Sequence, residues 1–438
     1  MGNKQTKNDK VVPYEGVKIG PASEDTIEQA IEAFDFLRIN GFSVYEEKGD
    51  QDDDGKKDAN EKKEPWQTEI GTFNVHSISE TERHDCQKSD RIGSYTSKYD
   101  FNSMSRKYLP ANKLGLKCLR HQRQYVNWDV FSGFSPKINF QMMDHSMNSI
   151  LQWISQNRAI LCEDSSAEEV SIRDISVDFV CMRGVLAGIM EIPYFTQWKR
   201  KTWGIGAVKF GRTIYMTSLS EDKNFKNLMG HKLAYSGHRF EEYMTYPVSR
   251  NTFESIENGV CYDFCCVYQN KSLKHNVIYA GKIDCIDSST KNSDVKDMDF
   301  KELKIMKIPD LRRETAKKNL IERAREMWIK AVLTDLSGCV VGFRKDLRFV
   351  NQIHEVSTQE LQSYAKNWSP HRCINSLNDV LDKMREFVVE EKVCYRVYFT
   401  GSGRISFMKT RYTVDSILPE WFLQEENSNE VGAQDVKR

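Results

Sequence analysis

The sequence predicts a mixed α/β fold, and three observations carry that expectation. Short apolar runs bounded by Gly, Asn and Ser recur from Trp66 onward and read as β-strands. Between them, the stretches 144–158, 311–333 and 376–391 place apolar residues at helical spacing. Two segments, 277–287 (VIYAGKIDCID) and 300–307 (FKELKIMK), read as adjacent antiparallel strands joined by the polar stretch 288–299. Glu302 and Lys304, two residues apart, leave the second of these strands on one face.

The 438 residues include 39% hydrophobic and 11% aromatic side chains, ample for one large core. Lys plus Arg and Asp plus Glu balance at 63 each, so any nucleic acid must be met by a local basic surface rather than a global field. No apolar run approaches the roughly 20 residues of a bilayer span, and no signal-peptide pattern opens the chain. The expected compartment is therefore cytoplasm or nucleus, and secretion is not expected. The cysteines are odd in number, dispersed, and sit mostly in apolar runs, as Cys261, Cys265 and Cys266 do; they read as buried free thiols, and no C-x-x-C pair points to zinc.

Taken in order, MGNKQTK at the start matches the myristoylation pattern, with Gly2 exposed after Met removal and Thr6 in the required place. One acyl chain binds membranes marginally, and Lys4, Lys7 and Lys10 would supply a second attraction; the alternative is a polar tail that starts with Gly. Residues 23–40 form an expected amphipathic helix, with Ser23 as N-cap and Ile27, Ile31, Phe34 and Leu37 on one stripe. Residues 45–65 are almost wholly charged and read as a solvated linker. The expected organisation is an extension over 1–65, one folded domain over 66–423 and a disordered polar tail over 424–438.

Within the domain, 69–76 reads as a strand, and 144–158 as a helix burying Met147, Ile150, Leu151 and Ile154. A strand over 177–182 delivers Arg183 and Gly184. Strands over 203–210 and 212–219 turn at Gly211; Gly204-x-Gly206 lacks the following helix of a dinucleotide loop. Residues 235–243 (YSGHRFEEY) lead into an expected loop, and 260–268 pairs with 277–286. The long helix 311–333 turns Leu320, Ile321, Ala324, Met327, Trp328 and Ala331 inward, with Arg323 and Lys330 along one flank. Strands over 338–344 and 347–354 follow, then a helix over 376–391 capped by Asn375, and strands 393–400 and 404–409 around a turn at 401–403.

Phosphodiester hydrolysis calls for Mg²⁺ or Mn²⁺, and such hard cations take carboxylate oxygens. Carboxylates from separate segments hold ions that activate water and neutralise charge developing on phosphate. Glu241, Asp284 and Glu302 are candidates for such a cluster, with Lys304 facing phosphate or orienting the water. Spacing by itself equally permits surface charge. The apolar neighbours Phe300, Leu303 and Ile305 argue that Glu302 and Lys304 stand near the core, where a carboxylate needs a partner.

In order, the segments resemble the signature of the decapping exoribonuclease (DXO) family of RNA 5′-end nucleases. The matching pieces are DFVCMRG (178–184), YSGHRFEEYM (235–244), GKIDCID (281–287), ELK (302–304), a helix ending EMWIKAVL, VVGFR (340–344) and ILPEWF (417–422). The resemblance spans 66–422 as one domain. It implies two largely antiparallel or mixed β-sheets flanked by helices, with a core related to the PD-(D/E)xK nucleases. It further implies removal of incomplete or NAD caps from RNA 5′ ends, pyrophosphate release from triphosphate ends in some members, and 5′-to-3′ degradation of 5′-phosphorylated RNA. By the same resemblance, Glu241, Asp284, Glu302 and the Leu303 carbonyl are ligands of a divalent metal, Mg²⁺ or Mn²⁺. Lys304 then faces the phosphate and Arg183 the substrate.

Two positions depart from the family pattern. The third motif of the family has Glu-x-Asp where this chain has Lys282-x-Asp284, and the long helix has a glutamine where this chain has Lys330. Strand alternation puts Lys282 on the face of Asp284. An ammonium in place of a carboxylate changes the local charge by two units and weakens binding of a second divalent ion. Two expectations of different class follow. One is a hydrolase in which a single metal suffices or Lys282 takes over part of a second metal's electrostatic work; the other is a catalytically impaired relative that binds RNA 5′ ends through Lys282, Lys304, Lys330 and Arg183. The retained carboxylates, Arg183 and Lys304 favour the hydrolase.

Overall fold

Strict alternation of apolar residues along the central strands builds one sheet that is covered on both faces. In the strands Phe179–Met182 (β1), Val260–Asn270 (β2) and Val277–Lys282 (β3), the residues Phe179, Cys181, Phe264, Cys266, Tyr268, Val277 and Tyr279 join one buried cluster. Their alternates Val180, Cys265, Val267, Ile278 and Ala280 join a second, beneath Ile150, Leu151 and Ile154 of the helix Asn148–Gln156. The computed structural model describes residues 68–424 apart from 81–87, 101, 104, 122, 137–146, 163–170, 196–202, 220–227, 250–258, 272, 366 and 402. The pattern at Gly2, the 23–40 helix and the charged stretch 45–65 lie outside these residues.

The first sheet has ten strands, in the order Thr68–Asn74, Arg404–Lys409, Cys394–Gly401, Gly204–Phe210, Thr213–Ser218, β1, β3, β2, Asp90–Asp100 and Ser105–Leu109. The second has seven. Its centre is Cys285–Ile286 (β4), Phe300–Lys307 (β5) and Gly338–Arg344 (β6), followed outward by Phe349–Ser357 and Tyr125–Asp129 on the β6 side, and by Lys117–Leu119 and Thr245–Pro247 on the β4 side. Both sheets are mixed: β3 runs antiparallel to β2 but parallel to β1, and β5 runs parallel to β6. The largest core cluster draws on both sheets, through Tyr279 and Phe300 for example, and on the helices Arg183–Glu191 (α1), Glu314–Thr334 (α3) and Pro370–Phe387. The other face of the smaller sheet packs Leu303, Val340 and Val350 against Phe240 and Met244 of the helix Leu228–Met244 (α2). This is the two-sheet, helix-flanked architecture that the resemblance implies.

Several elements differ from the sequence reading. The expected strand 277–286 is two strands, β3 in the larger sheet and β4 in the smaller, with 283–284 as the crossing. Its pairing with β5 is antiparallel as expected, but spans only Cys285↔Lys301 and Ile286↔Phe300. The physical reason is visible at the crossing, where Asp284 Oδ2 accepts the Leu303 N–H at 2.9 Å and so takes a place that a main-chain carbonyl would fill in a longer ladder. Residues 235–243 lie within α2 and lead into no loop, because the helix passes directly into Thr245–Pro247. Gly230 and Gly237 lower its helix propensity, but burial of Tyr235, Phe240 and Met244 overrides them. The later helix is Pro370–Phe387, capped by Ser369 rather than by Asn375. Asn375 is buried inside it and donates from Nδ2 to the Ser79 carbonyl at 2.8 Å. Arg323 faces solvent and pairs with Glu326.

Candidate active site

The seam between the sheets gathers the charged residues. Arg183 opens α1 directly after β1, and its Nη1 lies 3.4 Å from both Glu302 Oε2 and Thr334 Oγ1. Thr334 ends α3 and donates its hydroxyl to the Lys330 carbonyl at 2.6 Å. Gly281 lets these groups close on β3, since a Cβ there would stand 2.9 Å from Thr334 Cγ2 and 3.2 Å from Arg183 Cδ. On β5, Lys304 Nζ sits 2.5 Å from Glu302 Oε1, and Lys330 Nζ reaches the same oxygen at 3.6 Å. One buried carboxylate thus meets three cations.

Lys282 forms the mirror arrangement, one cation among three carboxylates. Its Nζ lies 3.1 Å from Glu241 Oε2, 3.2 Å from Asp263 Oδ1 and 3.8 Å from Asp284 Oδ1. Lys117 Nζ and His238 Nδ1 add weaker contacts to Glu241 Oε2, at 3.8 and 3.9 Å. The acids lie deepest: the side chain of Glu302 is 3% exposed, while those of Lys304 and Lys330 are 32% and 34% exposed and face outward. Among the described residues, no three or more His, Cys, Asp or Glu side chains are drawn together as closely as metal ligands; the Lys282 and Lys304 ammonium groups lie against the carboxylates instead.

The electrostatics follow from these contacts. Burial would raise Glu302, but Lys304, Arg183 and Lys330 overrule it and hold the carboxyl well below its usual range. Glu241 is buried too, and Lys282, helped by His238 and Lys117, brings it down to about 2. Asp284 goes the other way: burial, then the negative charges of Glu302 and Glu241, push it up to about 6 against the pull of Lys282 and Lys304. Crowding by Lys304, with burial, lowers Lys330 to about 8.

Every predicted site residue, Arg183, Glu241, Lys282, Asp284, Glu302, Leu303, Lys304 and Lys330, is brought to this seam. Sequence reasoning missed Asp263, Lys117 and His238. For Asp263 a signal existed, since it is the lone charge in the apolar run VCYDFCCVY and is 6% exposed in the fold.

Two mixed sheets, with an aspartate at the crossing and Glu-x-Lys on the neighbouring strand, are the core plan of the PD-(D/E)XK nuclease class. A family model described as RAI1-like PD-(D/E)XK nuclease matches residues 87–423, and the chain belongs to that family. The chain is 24% identical over 317 residues to the decapping and exoribonuclease protein of Xenopus laevis, covering 68% of this chain and 77% of that one. The Homo sapiens protein of the same name is 21% identical over 316 residues, covering 68% and 76%. Candida albicans Rai1, solved with pU5 and Mn²⁺, shares the fold with a TM-score of 0.63 at 17% identity, over 82% of this chain and 99% of that one. Scheffersomyces stipitis Rai1, solved with (3′-NADP)⁺ and calcium, also has a TM-score of 0.63, at 15% identity, over 82% and 100%. The family function is that of decapping exoribonucleases.

Proposed function

We propose that the chain is a metal-dependent hydrolase of RNA 5′ ends, which removes incomplete or NAD caps and degrades the exposed 5′-phosphorylated RNA. The observation that best supports this is Glu302 held among Lys304, Lys330 and Arg183: three cations exceed its single charge, and two of them face outward toward an incoming phosphate. The donor chemistry fits a divalent ion. Carboxylate oxygens suit Mg²⁺ or Mn²⁺, and three acids, Glu241, Asp284 and Glu302, lie buried along one seam.

Glu241, Asp284, Glu302 and the Leu303 carbonyl are the groups we assign to such an ion, which when bound supplies an activated water and charge neutralisation on the phosphate. The rest falls to the chain. Lys304 and Lys330 orient phosphate oxygens, Arg183 fixes the Glu302 carboxylate from behind, and Lys282 reduces the repulsion between the acids and an RNA backbone. Asp284 positions β5 by accepting the Leu303 N–H.

One observation favours a second reading, RNA 5′-end binding without turnover: the Lys282 ammonium already sits among three of the four carboxylates. Incubation with 5′-monophosphate, triphosphate, unmethylated-cap and NAD-cap RNAs in Mg²⁺ and in Mn²⁺, beside Asp284→Ala, separates the two. Product from the native chain alone is the expected result. Binding without product from any of the four replaces the hydrolase with the second reading. Cytoplasm and nucleus are the proposed compartments, with membrane association if Gly2 is acylated, which the mass of the native N-terminal peptide reads directly.

A further inference from the structure

We propose that Lys282 is a tethered cation that fills an ion site made by Glu241, Asp263 and Asp284, so that removing its charge opens a divalent-ion site additional to those of the native chain. The inference rests on the reading of the seam as metal-binding and says which part of it this chain has closed.

The geometry of the ammonium is that of a bound ion. It donates to both Glu241 oxygens and is ion-paired with Asp263 and Asp284, so that it meets three carboxylates from three separate elements, α2, β2 and the crossing after β3. Their side chains are 13%, 8% and 8% exposed. Acids so deeply placed do not stay charged together without a counter-charge. The strand register shows why one is needed here. Cys265 faces Lys282 across the β2–β3 ladder, and the Ile283 N–H continues it onto the Phe264 carbonyl at 2.9 Å. Past this point the strand leaves the ladder, but the register carries Asp284 toward Asp263, two like charges brought to one end of the β2–β3 pair, a destabilising arrangement without a counter-charge. Lys282 shares their face and lies between them and Glu241.

The donors around the ammonium are oxygens only, the set that hard divalent ions take. An ammonium keeps them at 3.1 to 3.8 Å, whereas Mn²⁺ or Ca²⁺ would draw them in to roughly 2.0–2.6 Å. Methionine at 282 keeps an unbranched side chain and removes the charge, leaving three carboxylates with a deficit that a divalent ion cancels.

Titration of the full chain with Mn²⁺, followed by calorimetry and by melting in chelator and in saturating Mn²⁺, tests this. The native chain is expected to bind one Mn²⁺ and Lys282→Met two. Lys282→Met should also melt lower in chelator and recover by about 5 °C more than the native chain on Mn²⁺ addition. Lys282→Arg should match the native count, and Lys282→Met with Asp263→Asn should lose the added ion. If Lys282→Met melts too low to titrate, Lys282→Gln, which keeps a donor without the charge, carries the same expectation. One ion in both the native and Lys282→Met chains overturns the tethered cation and leaves the metal-dependent hydrolase standing. None in the native chain and one in Lys282→Met supports the tethered cation and removes the hydrolase reading. None in either overturns both.

Discussion

Asp284 uses its two oxygens differently: Oδ2 accepts the Leu303 N–H at 2.9 Å, while Oδ1 faces Lys282 at 3.8 Å. In an unfolded chain an aspartate ionises at about 3.9, but in the fold burial and the neighbouring acids push Asp284 up to about 6. The folded chain therefore keeps a proton that the unfolded chain has lost. This group's contribution to stability is full below about pH 4 and is lost as pH rises through about 6. In chelator, Asp284→Asn should thus be more stable than the native chain at pH 7.5 by up to about 3 kcal/mol, with the gap shrinking toward pH 4. Urea unfolding across that range checks it, and a gap independent of pH would refute it. At this scale the site was largely legible, because Glu302 and Lys304 stand in an apolar strand and Lys282 breaks a motif. Asp263 offered only its lone charge in an apolar run, because its partner Lys282 stands on the neighbouring strand β3, which only the fold brings beside it.

Among the elements, α2 was the hardest to read and matters most to the site, since it carries Glu241. Its glycines argue against a helix, and the decisive term is tertiary: Phe240, 1% exposed, lies beneath β6 at Gly342, where a Cβ would come within 2.6 Å of the Phe240 ring. No local pattern announces that contact. The strand β3 misled for a related reason, since an apolar run reads the same whether it stays in one sheet or crosses to another at Asp284. Phe240→Ala should cost about 3–5 kcal/mol in urea unfolding, with the midpoint lowered and the slope unchanged. It should also reduce cleavage of 5′-phosphorylated RNA under conditions where the variant is still folded, because α2 loses the packing that aims Glu241. Full activity in such a folded variant would show that Glu241 is positioned by its ion pairs alone.

For the whole molecule, the two-sheet plan followed from a resemblance whose motifs are spread from one end of the domain to the other, and the reason for that spread is structural. The last motif, ILPEWF, closes the far face of the larger sheet, where Ile417, Leu418 and Phe422 join the second core cluster. Leu418 and Phe422 are fully buried, and the Phe422 ring packs edge-on to Tyr215 at 5.6 Å and near Phe210 at 6.4 Å. Burying two such side chains contributes about 1.5–3 kcal/mol each. Their sum, about 5 kcal/mol, rivals the lower end of the total stability of a domain. A chain ending at Gln424 should therefore unfold in urea at the same midpoint as the full chain. One ending at Ser416 should lose about 5 kcal/mol, and with it the sheet whose strands β1 and β3 deliver Arg183 and carry Lys282. If the shorter chain instead matched the longer one, the larger sheet would not need its closing segment, and the domain would end before it.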